Sequence, residues 1–296
     1  MIHRVGIDLG GTKIEGVVLD PRGEVLVRRR VPTVQEDGYE AILDCIAVLY
    51  RGVVEEAGNP DHTLGIGTPG AVSPRTGLLK NSNTLCLNGK PIHRDLESRV
   101  EHALRLENDA NCFALAEAIQ GAGRGARMVF GVIMGTGCGG GLVIDGQVWT
   151  GAQAIGGEWG HMSIDPAGAP CYCGRRGCVE TFISGSGLQR QWRERHGQAR
   201  SLPDIVAGHR SGEPEACAFM ADFFEHFGRA LGNLINVLDP DVVVLGGGVS
   251  NIDELYTEGA AGVGRHIFSD SMETPIVRHQ LGDSAGVIGA ALLGLA

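Results

Sequence analysis

The densest chemistry in the chain lies between two glutamates, Glu158 and Glu180, in the stretch EWGHMSIDPAGAPCYCGRRGCVE. His161, Cys171, Cys173 and Cys178 supply one nitrogen and three sulfurs, a set that suits tetrahedral Zn²⁺ with no open coordination position. Such a closed site pins a loop and performs no reaction. The C-x-C-x₄-C spacing departs from the common finger pattern, but Gly174 and Gly177 let the backbone fold tightly around an ion. A redox reading lacks the CxxC pair. A disulfide reading conflicts with a reducing compartment. Of the remaining cysteines, Cys45, Cys86, Cys112 and Cys217 read as small buried residues, and Cys138 sits in a glycine loop.

Three glycine turns offer a second kind of chemistry. Asp8-Leu9-Gly10-Gly11-Thr12-Lys13 follows an apolar strand. Successive backbone N–H groups in such a turn form a concave anion seat, to which Thr12 and Lys13 add donors. Asp8 would repel a phosphate there unless a cation lay between them, which suggests hydrated Mg²⁺. Gly135-Thr136-Gly137-Cys138-Gly139-Gly140-Gly141 forms the matching turn, and Leu245-Gly246-Gly247-Gly248 closes a late apolar strand. An ordinary hairpin or strand–helix turn is the competing reading for each. None has the form of a Walker A loop or of a GxGxxG loop before a helix. Asn108-Asp109-Ala110-Asn111 places an amide and a carboxylate after a strand. A carboxylate there can take the proton of an acceptor hydroxyl in phosphoryl transfer. Capping a helix N-terminus is the commoner use of these residues.

These residues need a scaffold, and the chain has the material for one. It has 296 residues, 43% hydrophobic and 20% charged, with 47 glycines clustered in short loops. A formal net charge of −10 argues against a broad nucleic-acid or anionic-membrane footprint. No apolar run approaches the ~18 residues of a membrane span, and MIHRVGIDLGG runs directly into a strand pattern, so a cytoplasmic location is expected. HRVGIDL, TKIEGVVLD and EVLVRRRVP read as three strands, followed by a helix over 38–57 with Ile42, Ile46, Leu49 and Val53 on one face. Gly6, Gly10, Gly16 and Asp20 recur at Gly131, Gly135, Gly141 and Asp145, a constant offset of 125. That repeat predicts a duplicated α/β unit with two glycine turns able to grip one ligand. Residues 104–118 read as a strand into a helix, 186–236 as mainly helical, and the tail as a small-residue helix.

Together DLGGTK at 8–13, GTPG at 67–70, ENDANC at 107–112, GTGCGGG at 135–141, EWGH at 158–161, CYCGRRGCVE at 171–180 and the late LGGG resemble the ROK family of bacterial sugar kinases and repressors. The resemblance covers nearly the whole chain, and the cysteine–glycine stretch after Glu-x-Gly-His is its most specific part. It implies an α/β, two-lobed actin-like or hexokinase-like ATPase fold built from duplicated ribonuclease-H-like units. The implied division is a small lobe at 1–117 plus 284–296 and a large lobe at 118–283 that carries the zinc loop and the nucleotide site.

The resemblance also implies transfer of the γ-phosphoryl of ATP, with Mg²⁺, to a sugar hydroxyl, in a chain that carries structural Zn²⁺. Asp109 would be the base. Gly70, Asn108, Asp109, Glu158, His161 and Glu180 would meet the sugar. Asp8, Gly10–Lys13, Gly135, Thr136, Gly137, Cys138, Gly139, Gly247 and Gly248 would hold the nucleotide and its phosphates. His161 would then serve both zinc and sugar, with the zinc loop shaping the sugar wall. KNSNTLCLNGKPIHRDL resembles the fructokinase or manno(fructo)kinase branch, while NDANCFALAEA and GHM also resemble the N-acetylglucosamine kinase branch. Fructose is the expected substrate, with mannose or glucose slower and an N-acetyl sugar as the alternative. A homodimer is expected from the family. A repressor of the family would need a helix-turn-helix before residue 8, where there is no room. A sensor that binds sugar without transfer would need no base beside the acceptor hydroxyl.

Overall fold

The computed structural model describes residues 2–295. In chain order they form β1 (His3–Leu9), β2 (Lys13–Leu19), β3 (Val25–Pro32), α1 (Gly38–Glu56), β4 (His62–Thr68), the short pair β5 (Ala71–Val72) and β6 (Leu79–Lys80), α2 (Ile92–Val100), β7 (Leu104–Asn108) and α3 (Asp109–Ile119). Then follow β8 (Met128–Met134), β9 (Cys138–Ile144), β10 (Gln147–Val148), α4 (Val179–Ile183), α5 (Gly185–His196), α6 (Leu202–Arg210), α7 (Pro214–Leu238), β11 (Val242–Gly246), α8 (Glu258–Gly264), β12 (Ile276–Arg278) and α9 (Ala285–Leu292). The internal repeat is exact at the level of strands: β1 and β2 reappear as β8 and β9 with both ends displaced by 125. Contacts divide the chain into a first unit of 1–125, 141–156 and 281–296, and a second of 126–140 and 157–280. The division falls within β9, so 141–156 groups with the first unit, whereas the sequence expectation kept 118–283 whole.

The first unit holds a five-stranded sheet of order β3-β2-β1-β4-β7. β1 and β2 are an antiparallel hairpin, and β4 and β7 run parallel to β1. Alternation explains its two faces. Val5, Ile7, Leu9, Ile14 and Val18 are all buried in one core cluster with Ile42, Leu43, Ile46 and Val53 of α1. Each such aliphatic side chain contributes about 1.5–3 kcal/mol relative to exposure. The opposite face carries small residues where α9 crosses. A Cβ added at Gly65 would lie 1.9 Å from the Ala290 carbonyl oxygen, and one at Gly289 would lie 1.7 Å from that of Cys112. No side chain larger than hydrogen fits either contact. On this second face the registers align Arg30, Glu15, Asp8, Gly67 and Glu107 in one row across all five strands. A charged row inside a sheet is costly unless it is used or paired.

The second unit is built around the parallel strands β8, β11 and β12 of the sheet ordered β10-β9-β8-β11-β12. Its helical core is the long α7, which buries Phe219, Phe223, Phe227 and Leu231, with Trp192 of α5 against Phe219 at 5.2 Å. Among the described residues no helix is long and apolar enough to cross a membrane.

Candidate functional site

Each unit carries a cluster of candidate residues. In the first, β7 delivers Asn108 and Asp109 to the start of α3. Asn108 is the helix cap: its Oδ1 accepts the Ala110 N–H at 2.9 Å, and its Nδ2 donates to the Gly70 carbonyl at 3.2 Å. The amide therefore does the capping. Asp109, the first helical residue, also accepts the Ala110 N–H at Oδ1, 2.8 Å away. Gly70 stands at φ 83°, and a Cβ there would lie 2.4 Å from the Lys80 carbonyl oxygen. One step back, Glu107 Oε1 accepts from the Asn108 N–H and Asn111 Nδ2, at 2.8 and 2.9 Å. Burial, more than these hydrogen bonds, decides its state and raises its pKa.

Asp8 ends the first strand of the same unit. Burial first, then the Asp109 and Glu15 carboxylates, push it up to about 7 against the pull of Lys13. Such a carboxyl fits a divalent cation, whose charge would offset the burial and the neighbouring carboxylates that favour its protonated form. The sign for stability follows. An unfolded Asp loses its proton near 3.8, while folded Asp8 keeps it to about 7. The folded state thus binds more protons in that window, and stability falls as pH rises through it. Asp8→Asn is expected to raise the melting temperature of the metal-free protein above pH 7 by about 2–4 °C and to flatten the pH dependence between 4 and 7. Identical melting curves for both proteins at pH 5 and pH 8 would refute this. Beside Asp8, the Gly10 N–H closes the hairpin onto the Lys13 carbonyl at 3.0 Å, and Thr33 Oγ1 donates to the Gly10 carbonyl at 2.7 Å. Gln35 Nε2 donates to the Gly11 carbonyl.

In the second unit, the turn 135–139 is closed by the Gly135 N–H on the Gly137 carbonyl at 2.9 Å. The Cys138 N–H donates to Glu180 Oε2 at 3.0 Å, and a Cβ at Gly137 would meet the same oxygen at 2.7 Å. Glu180 therefore braces the glycine turn, a contact the sequence did not suggest. It engages one amide expected to face phosphate and one carboxylate oxygen expected to face sugar. Trp159, which follows Glu158, donates Nε1 to the Gly139 carbonyl at 3.0 Å and packs edge-on to Phe130. The Thr136 carbonyl accepts from Ser186 Oγ at 2.5 Å. Next to this turn lies a cavity of about 690 Å³ lined by Gly135, Thr136, Ser186, Leu202, Pro203, Val206, Gly248 and Ile252. The glycine turn, Gln189, Arg210 and Asn251 give its lining polar groups beside the apolar Leu202, Pro203, Val206 and Ile252, a mixture that suits a base with phosphates. Of the late glycines, Gly248 lines it. Gly247, at φ 80°, instead lies against Met134, whose carbonyl oxygen a Cβ would meet at 2.4 Å. The apolar walls from α6 were not legible in the sequence, because nothing in LPDIVAGHR distinguishes a slot from a core face.

The cysteine loop folds as a cluster. The donor atoms of His161, Cys171, Cys173 and Cys178 all lie within 4.8 Å of one another. Cys171 Sγ is 3.6 Å from His161 Nδ1, and Cys173 Sγ is 3.6 Å from Cys178 Sγ. Tetrahedral zinc with Zn–S near 2.3 Å places its sulfurs about 3.8 Å apart, so the donor set fits. All four residues would serve as ligands, His161 through Nδ1. Burial works to raise the Cys173 thiol, but hydrogen bonds with Arg175 and the neighbouring thiols outweigh it and draw it down to about 6. Cys178 is pushed up to about 12, first by burial. Gly177 sits at φ 64°, where a Cβ would lie 1.6 Å from the Asp165 carbonyl oxygen. His161 Nε2 lies 3.0 Å from the Tyr172 hydroxyl, so the ring nitrogen expected to face sugar has a protein partner in this structure.

The model of the ROK family matches residues 4–296. An N-acetyl-D-glucosamine kinase of Yersinia pseudotuberculosis is 39% identical over 98% of this chain and 98% of its own. One of Pasteurella multocida is 39% identical over 99% of each. Among solved structures, a ROK hexokinase from Thermus thermophilus is 35% identical and superimposes with a TM-score of 0.88 over 99% of this chain and 97% of its own. A ROK family glucokinase from Streptomyces griseus, solved with glucose and AMPPNP, is 30% identical with a TM-score of 0.79 over 98% of each. With a match over essentially its whole length, this chain belongs to the ROK family and is a sugar kinase of the hexokinase type.

Proposed function

We propose that the chain transfers the γ-phosphoryl group of Mg·ATP to a hydroxyl of N-acetyl-D-glucosamine. The observation that carries this reading is the 39% identity, over essentially the full length, to kinases named for that sugar. The acetylated sugar therefore replaces fructose as the leading substrate, and fructose becomes the competing reading. Asp109 accepts the proton of the attacking hydroxyl as the new O–P bond forms and the bond from the γ-phosphorus to the β,γ-bridging oxygen breaks, releasing ADP. Asn108 and Gly70 orient the sugar, Glu158 and Glu180 accept hydrogen bonds from its hydroxyls, and His161, held through Nδ1, donates Nε2–H to a sugar oxygen. The N–H groups of the turns at 10–13 and 135–139 hold the phosphates, and the cavity beside Thr136 takes the base. Asp8 would hold Mg²⁺, which when bound would neutralise charge on the transferring phosphoryl. His161, Cys171, Cys173 and Cys178 would hold Zn²⁺, which would fix the loop between Glu158 and Glu180. A homodimer remains part of the proposal, testable by the mass in solution.

The test is ADP release from Mg·ATP against N-acetyl-D-glucosamine, N-acetylmannosamine, fructose, mannose and glucose. N-Acetyl-D-glucosamine is expected to give a kcat/KM at least about tenfold above fructose, the order of selectivity that one well-placed polar or apolar contact provides. Preferential turnover of fructose would overturn the substrate while keeping the mechanism.

A further inference from the structure

Glu15 is 1% exposed, in a strand whose other inward residues are apolar. A buried carboxylate of this kind persists only with partners. It lies opposite Asp8 on one side and Arg30 on the other, on the sheet face that leads to the turn at 10–13. Arg30 donates Nε to Glu15 Oε2 at 2.7 Å, Arg28 donates Nε to Glu15 Oε1 at 2.5 Å, and Lys13 Nζ lies 4.0 Å from Oε2. Three cations thus surround one carboxylate in a chain of net charge −10.

Satisfying Glu15 would take only one arginine, bound through two parallel N–H groups. Here each arginine instead gives it a single Nε–H. Among the described residues, the outer amino groups of both guanidinium ions make no further hydrogen bond, and Arg30 also feels the charge of the Asp283 carboxylate. The side chains of Lys13, Arg28 and Arg30 remain 45%, 38% and 44% exposed. The neighbouring Arg29 points to the other face and is paired with Glu56 at 2.6 Å. Alternation along β3 therefore separates one structural arginine from two whose donors converge on Glu15, two residues beyond the glycine turn.

We propose that Lys13, Arg28 and Arg30, held in place by Glu15, form a cationic subsite for the triphosphate of the nucleotide, continuous with the turn at 10–13. The inference rests on the kinase reading above and adds residues to it. Glu15 is a positioning residue: it touches no ligand and acts by aiming the three cations. That role has a signature that charge alone does not. Removing the negative charge of Glu15 would strengthen attraction for an anion if electrostatics were its whole effect. Loss of aim weakens binding instead.

The experiment is calorimetric titration of the full chain with Mg·ATP, together with steady-state KM values for ATP and sugar. Arg30→Ala and Glu15→Gln are each expected to weaken Mg·ATP binding about tenfold, the worth of one charge-assisted hydrogen bond, with the sugar KM little changed. Arg30→Lys should fall between, since it keeps the charge and loses the fork. Arg29→Ala should match the wild type. Should Glu15→Gln fail to fold, the exposed Arg30→Ala and Arg28→Ala carry the test. Unchanged ATP binding in Arg30→Ala would overturn the proposal, as would tighter binding in Glu15→Gln, or equal weakening in Arg29→Ala. Because binding is read without turnover, this result is separable from the kinase reading. That reading fails if no sugar elicits ADP release, whatever Arg30→Ala does to ATP affinity.

Discussion

Asp109→Asn is expected to lower kcat by about 10²–10⁴-fold, the usual contribution of a positioned general base, while sugar affinity measured by calorimetry stays within about threefold. The substitution keeps the volume of the side chain and an oxygen able to accept the Ala110 N–H, which Asp109 Oδ1 takes at 2.8 Å. The cap of α3 is supplied independently by Asn108, so the helix start does not depend on Asp109. The loss should therefore appear in kcat and not in folding. Thermal melting should show little change. If affinity and turnover fell together, Asp109 would be a binding residue and the base would have to be sought elsewhere.

The second large effect concerns the cysteine loop. The purified protein is expected to carry about one zinc per chain by atomic absorption, and Cys171→Ser to lose it, because three ligands close a tetrahedral site poorly. Glu158 and Glu180 flank this loop and His161 belongs to both the cluster and the proposed sugar wall. Loss of zinc should raise the sugar KM by about 10–100-fold, the scale seen when the supports of a metal site are removed. It should also speed hydrogen exchange across 158–180, while the α1 core of the first unit, which shares no residue with the loop, remains protected. Wild-type metal content in Cys171→Ser would sink the ligand assignment. Loss of zinc with an unchanged KM would separate the metal from the sugar wall.

How much of this was legible in the residues varies by kind. Strand and helix positions were, because they rest on period: the alternation around Ile14 and Val18 and the Ile42–Ile46–Leu49–Val53 stripe need only local geometry. The repeat was legible because glycine cannot be replaced where a turn or a backbone contact excludes Cβ, and the offset of 125 in glycines became an offset of 125 in strand ends. The cluster of His161, Cys171, Cys173 and Cys178 was legible because cysteine and histidine crowd into one loop. The expected fructose was not well founded, since motif resemblance in 80–96 says nothing about the volume that receives an acetyl group.

Side-chain aim was the part that period and composition could not supply. Glu180 was expected on the sugar and braces the Cys138 amide; the second ring nitrogen of His161 meets Tyr172. Gly247 and Gly248 are neighbours in one motif, yet one packs on Met134 and the other lines the cavity. Arg28, Arg29 and Arg30 look alike in the string RRR, and only the register of β3 on β2 turns two of them to Glu15 and one to Glu56. The sequence by itself determined the architecture, the kinase class and the clustering of His161, Cys171, Cys173 and Cys178, because these follow from local periodicity and from residue types with few alternative uses. The tertiary structure alone decided which donors converge beside each glycine turn, because that depends on strand register and on backbone contacts between residues far apart in the chain.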